Sequence, residues 1–129
     1  MPRELKRILY VEDEPSIQTI AVTVLEAVGG FKVIACSSGK QALEAAPGAN
    51  ADLILLDVMM PEMDGPATLD ALRKIPQTAQ TPVIFMTAKV QASEIAHYKS
   101  LGAIDVIAKP FDPMTLSAQI TELWQQAAG

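Results

Sequence analysis

The sequence predicts an α/β domain built on a parallel sheet covered on both faces, and three observations carry that prediction. Strand-sized apolar runs alternate strictly with segments of helical periodicity along the whole chain. The central run, Asp52-Leu53-Ile54-Leu55-Leu56-Asp57, is apolar without interruption between its acids, as a strand buried on both faces must be. It then stops at Asp57 and breaks into the loop Val58-Met59-Met60-Pro61-Glu62-Met63-Asp64-Gly65. In open parallel sheets the carboxyl edge is where ligands bind. Asp57 is therefore the first candidate for chemistry.

Taken in order, Arg7 to Val11 is a short β-rich run followed by Glu12-Asp13-Glu14 and Pro15, a residue suited to the first position of a helix. Ile17, Ile20, Ala21, Val24, Leu25 and Val28 repeat at helical spacing, and Gly29-Gly30 supplies a left-handed C-cap. Phe31 to Cys36 reads as a second strand. Ser38 with Gln41 forms a capping-box signal for a short helix through Ala42, Leu43 and Ala46, expected to end at Pro47-Gly48.

After the central strand, a helix carrying Leu69, Leu72 and Ile75 is expected before Pro76, with its start at Asp64-Gly65-Pro66. Pro82 to Thr87 is a fourth strand ending on a hydroxyl. A helix with Ile95 and Leu101 ends at Gly102, and Ile104 to Ala108 is a fifth strand leading to Lys109-Pro110-Phe111. Asp112-Pro113 signals the start of a last helix with Leu116, Ile120, Leu123 and Ala127. Five strands alternating with five helices imply right-handed crossovers and a parallel sheet.

Composition narrows the function. At 129 residues, half of them hydrophobic, the chain has the material for one core. A net charge of -5 with scattered lysines and arginines excludes a nucleic-acid surface, which needs a basic stripe. A protein partner is expected instead. No apolar run is long enough for a membrane span or signal region, so a cytoplasmic protein is expected. Cys36 is the single cysteine and reads as a small buried residue at a strand end. His97 reads as a surface histidine, Met59, Met60 and Met63 as loop packing, and Trp124 as a helix-packing anchor.

With all strands parallel, every strand-to-helix junction lies at one edge, so Glu12, Asp13, Asp57, Thr87 and Lys109 can converge. Each alone has a plain explanation: acids favoured by a helix dipole, a turn aspartate, a β-forming threonine, a solvated lysine. Their coincidence at one edge argues for chemistry. Three carboxylates in one crevice repel one another, and a hard divalent cation such as Mg2+ relieves that repulsion through oxygen ligands. A metal, a lysine and a hydroxyl donor around one carboxylate suit an incoming phosphoryl group, with Asp57 as nucleophile.

At this point the residues resemble a known family, the receiver domains of two-component response regulators. The matching features are Glu12-Asp13 after strand one, Leu-Leu-Asp-Val-Met-Met-Pro-Glu-Met-Asp-Gly around Asp57, Met-Thr-Ala ending strand four, and Lys-Pro-Phe after strand five. The resemblance implies a doubly wound, flavodoxin-like five-stranded sheet of order 2-1-3-4-5 with residues 1–129 as one receiver domain, either a stand-alone regulator or part of a larger protein. It implies that Asp57 takes a phosphoryl group from a sensor histidine kinase or histidine phosphotransfer protein. It further implies magnesium held by Glu12 or Asp13, by Asp57 and by the Met59 carbonyl, phosphoryl oxygens contacted by Thr87 and Lys109, and a cis Lys109-Pro110 bond. Such a protein is a signalling module rather than an enzyme acting on other substrates.

One position departs from the family. Three residues before the lysine, where many members carry Tyr or Phe, stands Val106, a stiff side chain with no ring to swing. Other classes fit less well. A phosphohydrolase of the haloacid-dehalogenase kind needs a second acid two residues after the nucleophile, and Met59 is there. A dinucleotide site needs a glycine-rich turn after strand one, where Glu12-Asp13-Glu14 would repel a pyrophosphate. A degenerate receiver acting as an unphosphorylated interaction module would have lost the acid pair, the acceptor or the lysine, and all are present.

Overall fold

The computed structural model describes residues 4–128. Elements follow in the order β1 (Arg7–Val11), α1 (Pro15–Ala27), β2 (Lys32–Cys36), α2 (Gly39–Ala49), β3 (Leu53–Asp57), α3 (Gly65–Leu72), a 3-10 turn (Pro76–Thr78), β4 (Val83–Thr87), α4 (Ala92–Ser100), β5 (Asp105–Ala108) and α5 (Leu116–Ala128). The strands form one sheet in the order β2-β1-β3-β4-β5, and every pairing is parallel. This is the doubly wound sheet that the alternation and the resemblance predict.

The alternation of side chains along each strand divides the core in two. Ile8, Tyr10, Leu53, Leu55, Ile84, Met86 and Ile107 pack with Ala21 and Leu25 of α1 and Leu116, Ile120 and Trp124 of α5. Leu9, Val11, Ile54, Leu56, Val83 and Phe85 pack with Ala42 and Ala46 of α2 and Leu69 and Leu72 of α3. All five residues of β3 are buried, as are all five of β4. Placing the two most apolar strands at the sheet's centre leaves the partly exposed β2 at an edge. Cys36 and Trp124 are buried and His97 is exposed, as expected. Trp124 also donates its indole N–H to the Asp52 carbonyl at 3.0 Å.

Several local expectations are corrected. In α1, Ala21 and Leu25 face the core, but Ile20 is 48% and Val28 54% exposed. The sheet covers a stripe narrower than the apolar spacing suggests. The C-cap Val28 stays right-handed, and Gly30 takes the left-handed turn at φ 71°. Helix α2 runs through Pro47 to Ala49 and ends on a left-handed Asn50. Pro47 and Gly48 are exposed, so carbonyls left without a helical donor meet water, while buried Ala46 and Ala49 hold the last turn on the sheet.

The capping box is half made: Ser38 Oγ accepts from Gln41 N–H, but Gln41 Oε1 accepts from Ser37 N–H. Helix α3 ends at Leu72, before Ile75. Leu101 caps α4 and is 41% exposed. Asp112 turns the chain ahead of α5 by accepting from Met114 N–H on its side chain and from Thr115 and Leu116 N–H on its carbonyl. The helix itself begins at Leu116. Met60 is buried, but Met59 is 68% exposed.

Candidate functional site

Each predicted site residue leaves the sheet at its carboxyl edge. Glu12 and Asp13 follow β1, Asp57 ends β3, Thr87 ends β4, and Lys109 follows β5. The β3–β4 and β4–β5 registers, Asp57 opposite Met86 and Thr87 opposite Ala108, bring the last three to neighbouring positions. The loops between are tied down by backbone bonds, from Val58 N–H to the Met86 carbonyl and from Lys109 N–H to the Thr87 carbonyl. Gly65 donates to the Val58 carbonyl at 2.8 Å, and a Cβ there would lie 2.6 Å from the Asp57 carbonyl oxygen. Only glycine lets α3 begin so close to the end of β3. The Lys109-Pro110 peptide is cis.

Four of these side chains, those of Glu12, Asp13, Asp57 and Lys109, converge. Lys109 Nζ donates to Glu12 Oε1 at 2.8 Å and to Asp57 Oδ1 at 3.2 Å. Glu12 and Asp57 are 1% and 3% exposed, so this is a nearly dry ion cluster. Carboxylate oxygens of Glu12, Asp13 and Asp57 lie within 4.8 Å of one another. Thr87 is buried and its Oγ1 accepts from Lys89 N–H at 3.2 Å, which leaves its own proton free to donate.

The electrostatics follow from burial. Desolvation pushes the Asp57 carboxyl up to about 7, Glu12 adds to the rise by hydrogen bond and charge, and Lys109 opposes it. For Lys109 burial works against the charged form, but the hydrogen bond to Glu12 and the charges of Asp57 and Glu12 outweigh it and raise its pKa. One ammonium thus faces three carboxylates. The donor set is all oxygen, partly open through Asp13, and short of positive charge, which fits a hard divalent cation.

Other participants were not legible in the sequence. Glu14 donates its backbone N–H to Glu12 Oε2 at 3.2 Å, and Gln18 on α1 reaches the Glu12 and Cys36 carbonyls. Tyr10, beneath the site on β1, has a buried hydroxyl with no hydrogen-bond partner among the described residues, and its pKa is raised by burial and then by Glu12 and Asp57. Val106 is buried opposite Phe85, and the ring on Phe85 comes from α4: the Tyr98 ring lies 5.3 Å away.

Fold and site together define a regulatory α/β domain of the two-component type, and sequence comparison reaches the same class. The chain belongs to the response regulator receiver domain family, whose family model matches residues 8–121. It is 37% identical over 122 residues to the alkaline phosphatase synthesis transcriptional regulatory protein PhoP of Bacillus subtilis, covering 95% of this chain and 50% of that protein. It is 39% identical over 123 residues to the transcriptional regulatory protein CpxR of Escherichia coli, covering 95% and 51%. The chain spans about half the length of the curated relatives it matches.

Among solved structures, chemotaxis protein CheY4 of Vibrio cholerae superposes with a TM-score of 0.84 at 30% identity, covering 92% of this chain and 98% of that one. The receiver domain of sensor histidine kinase PA1611 from Pseudomonas aeruginosa, which has a magnesium ion coordinated in its active site cleft, matches with a TM-score of 0.80 at 30% identity over 94% and 98%. Phosphorylation-based two-component signalling is the function of this family, and the chain is a receiver module of that kind. No described helix is long and apolar enough to cross a membrane.

Proposed function

We propose that Asp57 is the phosphoacceptor of this receiver, supplied by a phosphohistidine on a sensor histidine kinase or a histidine phosphotransfer protein. The observation that carries the reading is Lys109 Nζ spanning buried Glu12 and Asp57 at the mouth of the acidic cluster. In the transfer an Asp57 carboxylate oxygen forms the new P–O bond while the P–N bond to the donor imidazole breaks and the electron pair stays on that nitrogen. Lys109 Nζ and the Thr87 hydroxyl donate to phosphoryl oxygens as charge spreads over them.

Glu12, Asp13, Asp57 and the Met59 carbonyl are the groups that would hold Mg2+, which when bound supplies charge neutralisation at the phosphoryl oxygens. The raised Asp57 pKa supports this, because an uncompensated carboxylate there is unstable in its charged form. Hydrolysis of the acyl phosphate at the same site returns the module to its starting state. Residues 1–129 act as the receiver domain, with a downstream protein reading the change of state and with no nucleic-acid contact or membrane attachment by this segment. It works in the cytoplasm.

The test is intact mass after incubation with phosphoramidate and MgCl2, alongside Asp57→Asn and a sample in EDTA. A single hydroxylamine-labile phosphoryl adduct that requires both Asp57 and magnesium is expected. Folded protein that acquires no adduct, or Asp57→Asn that acquires the same one, overturns the assignment and favours an unphosphorylated interaction module.

A further inference from the structure

Gln18 lies in the second turn of α1 and takes no part in the transfer described above. Its Nε2 donates to the Glu12 carbonyl at 3.0 Å and to the Cys36 carbonyl at 3.0 Å, with Ser37 Oγ more distant at 3.4 Å. An amide nitrogen has two hydrogens, so the two carbonyls use both. Both acceptors sit where the sheet ladder runs out. The β1–β2 register ends with Val11 opposite Cys36, and Glu12 N–H makes one last bond to the Cys36 carbonyl at 3.0 Å.

In a parallel ladder the next bond to the Glu12 carbonyl would come from Ser38 N–H. Ser38 has left the sheet as the N-cap of α2. The Gln18 side chain takes that rung, joining β1, β2 and α1 at the residue from which the acidic pair projects. The rest of the loop closes on the same point, since Glu14 N–H donates to Glu12 Oε2 and Gln18 N–H donates to the Glu14 carbonyl at 2.9 Å.

We propose that Gln18 is a positioning residue: its carboxamide fixes the Glu12 carbonyl, and through it holds the Glu12 and Asp13 carboxylates in the arrangement that takes a divalent cation beside Asp57. The inference rests on the phosphoacceptor reading above. Hydrogen-bonded supports of metal ligands are typically worth about 10–100-fold in metal affinity. Gln18 acts one step further back, through the backbone, so the low end applies.

The experiment is calorimetric titration of MgCl2 into wild type and Gln18→Met, a side chain of similar length with no donor. The dissociation constant is expected to rise by roughly 10-fold. Half-saturating magnesium for phosphoramidate uptake should rise by the same factor, with the rate at saturating magnesium within about twofold of wild type. A lowered melting temperature in EDTA with an unchanged magnesium midpoint means a purely structural role and overturns the inference. Wild type that neither binds magnesium nor takes up phosphoryl overturns the phosphoacceptor reading itself, and this inference with it.

A measurement on wild type alone covers the case in which Gln18→Met does not fold. The Gln18 side-chain NH2 signals in an amide-correlation spectrum should shift on magnesium addition with the calorimetric midpoint. Signals that stay in place through saturation overturn the inference.

Discussion

At residue scale the site is a balance between burial and pairing, and Asp57 carries the imbalance. Its carboxyl titrates near 7 in the folded protein because desolvation and Glu12 outweigh Lys109. A raised carboxyl pKa means that stability from this group is fully present below its unfolded value, near 3.8, and is lost as pH rises through about 7. Asp57→Asn carries no such loss. In EDTA its melting temperature should match wild type near pH 4 and exceed it above pH 7. Thermal melts of both proteins across that range check it, and a constant difference contradicts it. Tyr10 makes a second case, since a buried hydroxyl without a partner costs about 1–3 kcal/mol of desolvation. Tyr10→Phe should leave the urea midpoint unchanged or raise it, and a clear fall would reveal a partner for the hydroxyl. The sequence marked Glu12, Asp13, Asp57, Thr87 and Lys109 because charge or hydroxyl type recurs at strand exits. Gln18, six residues past Glu12 and pointing back from a helix, carries no such signal. Nor does Tyr10, which reads as one more β-former.

At the scale of elements, what decides the anchoring of a helix is how much of it the sheet covers. Helix α5 buries Leu116, Ile120 and Trp124, whereas α4 has no buried residue and no side-chain N-cap. It is held by half-buried Ile95 and by Tyr98 over Phe85. Opening free energy scales with such burial. Amide exchange should therefore be fastest among the helices in α4, and slowest in β3 and β4. Exchange in α4 as slow as in α5 would contradict this. Element types were legible throughout because apolar period and turn residues agree, but several helix ends moved. Helix α2 outran Pro47 because its exposed carbonyls can bond to water, α3 stopped short of Ile75, and α5 began after a turn at Asp112. The faces of α1 were misjudged at Ile20 and Val28 because apolar spacing says which stripe can be buried, not how wide a stripe the sheet covers. Val106 is buried opposite Phe85 in the register, and Tyr98 of α4 lays its ring against Phe85. No sequence period reports which side chain of a helix meets which side chain of the strand it packs on.

For the whole molecule, folding and the proposed ion binding are one equilibrium, because the carboxylates that follow β1 and the one that ends β3 meet only in the folded state. A ligand of that state stabilises it by RT ln(1 + [L]/Kd), about 2.7 kcal/mol at a hundredfold excess over Kd. Magnesium at that excess should raise the wild-type melting temperature by several degrees, and Asp13→Asn or Asp57→Asn should lose most of the rise. An equal rise in all three proteins would place the ion elsewhere. The sequence by itself determined the layered α/β architecture, the edge at which chemistry gathers and the residues of matching type at that edge. These depend on hydrophobic period and chain polarity, which are local properties of the chain. Only the tertiary structure decided that Lys109 bridges Glu12 and Asp57, that Asp57 is dry enough to titrate near 7, that Gln18 completes the broken ladder, and that Tyr98 stands over Phe85. Those facts depend on distances and dielectric exposure between residues far apart in the chain, and these are set by how the layers pack.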